Sequence, residues 1–122
     1  MNFLNTSFDG LFLINDYSFN DNRGSFNKPY NYEVFKNNNI LSFPEEFFFS
    51  ISSKNVIRGM HFQLPPYDHD KLVYVPQGAV LDVVIDLRSN SETYGEHISV
   101  ELSDQNKRAV FIPRGCAHGF KS

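Results

Sequence analysis

Tryptophan is absent from this sequence, and Cys116 is the only cysteine among its 122 residues. One thiol cannot form an internal disulfide, so the fold must rest on its hydrophobic core; the cysteine usage fits a reducing compartment. No uninterrupted apolar run approaches the ~20 residues of a membrane-spanning helix, and the opening MNFLNTSFDGLFLI has no basic targeting region. A cytoplasmic protein away from membranes is expected. An excess of positive charge is lacking too: 11 Lys and Arg against 14 Asp and Glu give a formal net charge of −3. That balance supplies no bulk attraction to nucleic acid, so any phosphate must be held by a few placed arginines. There is no internal repeat, linker or low-complexity tract, and the length suits one domain over residues 1–122.

Aromatic residues are abundant at 16%, with 13 phenylalanines. Together with short β-branched runs separated by Gly, Pro, Asn and Ser they predict an all-β sandwich or barrel. Strands are expected at Leu11–Ile14, Phe47–Ser52, Val56–Phe62, Lys71–Val75, Val80–Leu87, His97–Leu102 and Ala109–Ile112, and one short helix within YNYEVFKNNN. From Val80 onward the odd positions Leu81, Val83, Ile85 and Leu87 are wholly apolar and read as the core face. The even face carries Asp82 and Asp86 among valines, as in a partly polar lumen or on a face turned to water. Asp86, beside the LRSN turn, reads as solvated.

The stretch VIRGMHFQLPPYDHDKLVYV gathers titratable groups onto what otherwise resembles two strands. Arg58 and His61 have opposite parity, so a regular strand would aim them to opposite faces. Gly59 between them can mark a bulge that brings both to one cavity. Lys71 shares parity with Val73 and Val75. Asp68, His69 and Asp70 fall in an expected exposed turn and read as a solvated charge cluster. At the end of the chain, Pro113, Gly115 and His118 in IPRGCAHGF have the P-x-G-x-x-H spacing of the second cupin motif, in which a turn presents a histidine to the barrel lumen. A mononuclear metal site needs three or four converging ligands, and only His61 and His118 are well placed; no metal is expected.

Taken in order, FNDNRGSF, VIRGMHFQLPP, KLVYVPQGAVLDVVIDLRSNSETYG and ELSDQNKRAVFIPRGCAHGF resemble the dTDP-4-dehydrorhamnose 3,5-epimerases. The resemblance implies a cupin jelly roll without metal or other cofactor, usually a homodimer, acting on a nucleotide-diphosphate 4-keto-6-deoxy sugar. It implies that His61 is the base, Lys71 faces the developing oxyanion, and Asp82 and His118 orient or polarise their neighbours. It also implies that Arg23 and Arg58 hold the diphosphate and sugar while Phe19 and Phe26 frame the nucleotide. Family members continue beyond A-H-G-F through a segment that carries a tyrosine acid and an aspartate orienting the base, so the barrel is expected to be incomplete at its C-terminal end. Glu46, Phe48 and Lys28 stand where the family usually has Gln, Asn and Glu, which points to an altered sugar, nucleotide or stereochemical outcome. Two alternatives stay open: a binding domain without catalysis, and a metal-dependent cupin.

Overall fold

A computed structural model describes all residues, Met1–Ser122. The elements run β1 (Asn2–Asn5), β2 (Phe12–Asn15), β3 (Ser18–Asp21), β4 (Gly24–Asn27), α1 (Tyr32–Asn37), β5 (Ile57–His61), β6 (Lys71–Tyr74), β7 (Ala79–Asp86), β8 (His97–Ser103), β9 (Ala109–Ile112) and β10 (Cys116–Lys121). Eight strands form two four-stranded antiparallel sheets, ordered β1-β2-β9-β6 and β5-β10-β7-β8, while β3 and β4 make a separate hairpin. This is the expected all-β jelly roll, with sequence-distant strands as neighbours. No helix is long and apolar enough to cross a membrane.

Alternation along the strands determines what fills each layer. Between the sheets lie Phe8, Leu11, Val84, Val100, Leu102, Val110, Ile112 and Cys116, with Val73, Val75 and Val80 packed against them. Burial pushes the Cys116 thiol up to about 11, against the opposing pull of Arg88. On the outer side of the first sheet, Ile14, Tyr17, Ala109 and Phe111 meet Phe35 and Ile40. Helix α1 supplies that cover: Asn31 caps it by accepting from Val34 N at 3.2 Å, and the Phe35 ring packs against Phe3, Tyr30 and Phe111. Truncating so buried a ring costs about 3–5 kcal/mol.

Three expectations need correction. The even face of β7 is the core face: Asp82, Val84 and Asp86 are buried, whereas Leu81 and Leu87 are exposed and Val83 and Ile85 half-buried. Hydrophobicity alone misidentified the face because the interior holds two carboxylates. Asp86 is accordingly not solvated but 0% exposed. Its Oδ1 accepts from Arg88 Nε at 2.9 Å and Arg88 N at 3.0 Å, and its Oδ2 from Arg88 Nη2 at 2.8 Å, Ser91 Oγ at 2.6 Å and Thr93 Oγ1 at 2.7 Å. With Arg88 Nη1 also donating to Asp9 O at 2.7 Å, this cluster ties the loop after β7 to the amino-terminal segment. Finally, Phe47–Ser52 is β-prone but makes no strand pairing, because no sheet edge in the chain receives it; Phe48 is 80% and Ile51 85% exposed.

The Arg88 guanidinium, and then the Ser91 and Thr93 hydroxyls, hold the Asp86 carboxyl well below the usual carboxylate range despite its burial. A depressed folded-state value gives stability that is present above the unfolded value of about 4 and lost as pH falls below it. Asp86→Ala should cost about 3 kcal/mol near neutral pH by leaving Arg88 unpaired. In urea unfolding, the gap between wild type and variant should narrow on acidification; a pH-independent gap would contradict the assignment.

Candidate active site

Strand β5 lies at a sheet edge, paired with β10, and the pairing shifts register: His118 faces His61, but Phe120 faces Arg58. Directly opposed residues of antiparallel strands project to the same face. Arg58 and His61 therefore share a face, as the bulge reading of Gly59 required. That face is the interior one, because His118 is also paired with Val84 and Phe120 with Asp82. The shift depends on two glycines meeting. A Cβ on Gly59 would lie 2.5 Å from Gly119 Cα; one on Gly119 would lie 2.7 Å from Arg58 O and 3.0 Å from Met60 Sδ. Gly59 also has φ +120°, which L side chains rarely adopt.

His118 and Asp82 form the polar centre of this interior face. His118 Nδ1 lies 3.2 Å from Asp82 Oδ2, with the histidine side chain 14% exposed and the aspartate fully buried. Once Nδ1–H is donated to Asp82, Nε2 is left for the lumen. Asp82 Oδ1 has no hydrogen-bond partner, and a buried orphan acceptor costs about 1–3 kcal/mol. It is an open place for a hydroxyl or an ammonium.

The cation comes from the facing sheet. Lys71 pairs with Ile112, and Val73 with Val110, so Lys71 lies on the face that carries the inter-sheet core. Burial pushes the Lys71 ammonium below the ordinary lysine value, while the Asp82 carboxylate opposes that shift. His61 occupies the same interior face as His118 but stays exposed, because β5 is an edge strand. Only His118 among the histidines is within ion-pair reach of a carboxylate. No three His, Cys, Asp or Glu side chains converge where a metal ion could be held.

Of the other expected residues, Arg58 shares the interior face with His61, and the rest lie on the separate β3–β4 hairpin. Arg58 donates from Nε to Ser52 Oγ at 3.0 Å and from Nη2 to Ile51 O at 3.3 Å, so the segment before β5 holds its guanidinium. Phe19 and Phe26 are paired across the β3–β4 hairpin and exposed. Arg23, at the hairpin's tip, makes a forked pair with Asp21, Nη2 to Oδ2 at 2.6 Å. An open depression of about 530 Å³ beside them is lined only by hairpin residues. The chain thus unites His61, His118, Asp82 and Lys71 and places Phe19, Arg23 and Phe26 on a separate arm. Lys28, one of the departures from the family pattern, lies over the Phe26 ring at 5.7 Å.

The family model described as dTDP-4-dehydrorhamnose 3,5-epimerase matches residues 5–122. This chain belongs to that family. The dTDP-4-dehydrorhamnose 3,5-epimerase of Escherichia coli K12 is 42% identical over 123 aligned residues, which cover 98% of this chain and 65% of the relative. A family crystal structure from Sulfolobus tokodaii superimposes with TM-score 0.92 at 36% identity, covering 99% of this chain and 68% of that one. The Legionella pneumophila enzyme in complex with dTDP-4-keto-L-rhamnose gives TM-score 0.83 at 36% identity, covering 98% and 64%. The chain therefore spans about two thirds of the length of its curated relatives.

Sequence reasoning missed strand β10 and the role of Gly119. The only local signal was a second glycine, in AHGF, matching the one in RGM. Because backbone atoms crowd Gly119, Gly119→Ala should destabilise the protein by about 1–3 kcal/mol and expose the β5 amides to hydrogen exchange ahead of the β7 amides. Unchanged protection of β5 would show that the close approach is unimportant.

Proposed function

We propose that this chain is the catalytic domain of a metal-independent epimerase acting on a nucleotide-diphosphate 4-keto-6-deoxy sugar or a related keto sugar. One observation carries the reading: two histidines and a carboxylate on one interior face oppose a desolvated lysine on the other. A proton on the carbon beside the sugar's C4 ketone is acidic only while its carbanion is delocalised onto the ketone oxygen. His61, unpaired and at the open edge, takes that proton; the electron pair moves to the oxygen as an enolate. Lys71 stabilises the enolate oxygen, and poor solvation of the ammonium strengthens the attraction. Asp82 holds His118 in one tautomer, and the His118–Asp82 pair orients the sugar through Nε2 and the free Oδ1. A solvent-derived proton returned to the opposite face of the enolate carbon inverts it as the electron pair moves back from the oxygen.

Recognition of the nucleotide falls to Arg23, Phe19 and Phe26, with Arg58 beside the sugar. Guanidinium groups suit a diphosphate because their planar fork matches its oxygens, and exposed rings on a hairpin offer faces for a base. In one copy the arm's depression and the His61 cluster share no lining residue. A homodimer, in which a second copy's arm closes over the cluster, unites them. The unpaired, apolar Phe47–Ser52 segment supports such an assembly, since an exposed β-prone stretch of this kind seeks a partner edge. A lone reduced thiol and a nucleotide-linked substrate both fit a cytoplasmic setting.

Incorporation of solvent deuterium at the carbon next to the ketone of a dTDP-linked 4-keto-6-deoxy sugar tests the proposal. His61→Ala should lower the exchange rate by about 10³-fold, in the range of a lost general base. Arg23→Ala should instead weaken binding by about tenfold, with turnover nearly unchanged. Binding of dTDP without any exchange would turn the reading to a non-catalytic binding domain, and wild-type exchange by His61→Ala would remove the base assignment.

A further inference from the structure

We infer that Asp70 is a positioning residue for the proposed reaction, holding the strand that carries Lys71 against the turn that presents His118. The inference rests on the epimerase reading for its consequence, though not for its geometry. The sequence placed Asp70 in a solvated cluster with Asp68 and His69; the structure corrects this, because the Asp70 side chain is only 15% exposed. Its Oδ1 accepts from Arg114 N at 2.8 Å and lies 3.6 Å from Arg114 Nε. Its Oδ2 accepts from Ser42 Oγ. His69, by contrast, contacts only Tyr67 O in its own loop at 3.0 Å.

The position of these bonds gives them their meaning. The β6–β9 ladder ends where Lys71 pairs with Ile112, so the Arg114 N–H lies beyond the last strand pair. The Asp70 carboxylate takes that N–H and extends the junction by two residues, into the turn that leads to His118. On its other side the same turn is fixed to the sheet that holds Asp82: Leu87 N donates to Gly115 O at 3.1 Å. A Cβ on Gly115 would also lie 2.6 Å from Arg88 Cγ. The turn is thus clamped from both sheets, and Asp70 is the side-chain link on the Lys71 side. Through Ser42 it also engages the segment that runs toward β5 and His61. Sub-ångström errors between an acid–base group and an oxyanion partner are costly for turnover, whereas substrate binding through a remote arm would be little affected.

Deuterium exchange on the dTDP-linked 4-keto-6-deoxy sugar, together with the imidazole resonances of His118, tests the assignment. Asp70→Ala should lower kcat about tenfold with KM within about twofold, and should shift and broaden the His118 ring signals. Asp70→Asn, which keeps an acceptor oxygen for the Arg114 N–H, should recover kcat to within about threefold and restore the signals. Rates and resonances of Asp70→Ala that coincide with wild type would overturn the role, as would a loss appearing wholly in KM. If the wild type catalyses no exchange, the epimerase reading fails by itself, and the His118 signals still decide the positioning of the turn. If Asp70→Ala does not fold, Ser42→Ala carries the test, with a smaller change in the same direction expected and no change contradicting the role.

Discussion

The close approach of Gly59 to Gly119 is the constraint on which the site depends. Where the two backbones cross, no Cβ fits on either residue, and the register slips so that Arg58 and His61 face the same way. Without the slip, parity would turn one of them away from the lumen. The same strand pair joins His61 to His118, and through β7 to Asp82. Packing at a point without side chains thus decides where the titratable groups go.

Two interior carboxylates on one strand, Asp82 and Asp86, show how differently burial can be compensated. Asp86 is surrounded by an arginine and two hydroxyls of its own loop, with the Cys116 thiol of β10 as a longer contact at 4.0 Å, and it stabilises the junction of that loop with the core. Asp82 is just as buried but shares only one oxygen, with His118, and leaves the other unpartnered. A fully satisfied network rigidifies, and a partly satisfied one retains capacity for a ligand. Lys71 across the gap is the complementary case, a cation whose charge is disfavoured by burial and supported by Asp82. The interior is apolar near Val84 and Leu102 and becomes polar toward the β5 and β6 edges, where the chemistry is proposed.

Much of this was legible in the residues. Seven strands were expected, and six of them form, from Phe12–Asn15 to Ala109–Ile112, because β-branched runs bounded by turn residues leave little choice. Helix α1 followed from the stretch before the Asn-rich turn. The hairpin of β3 and β4 escaped notice because its Ser, Asn, Asp and Gly residues have turn-like composition, and β10 because Gly119 and His118 break the apolar pattern. The core face of β7 was reversed for a physical reason: a lumen that hosts carboxylates defeats a rule based on hydrophobicity. The bulge at Gly59 and the interior parity of Lys71 were readable. The Asp70 clamp was not, since its partners at Ser42 and Arg114 are distant in sequence and meet only once the sheets have formed.

The proposed site requires His61 and His118 to lie side by side on the interior face. Nuclear Overhauser contacts in protein carrying selectively labelled histidine measure this directly, because opposed residues on antiparallel strands hold their Cβ atoms about 5 Å apart. Cross-peaks between the side-chain protons of His61 and His118, and between His118 and the Val84 methyls, are predicted. Contacts from His61 to outer-face residues such as Val83 or Ile85, with none to His118, would contradict the shifted register and with it the site.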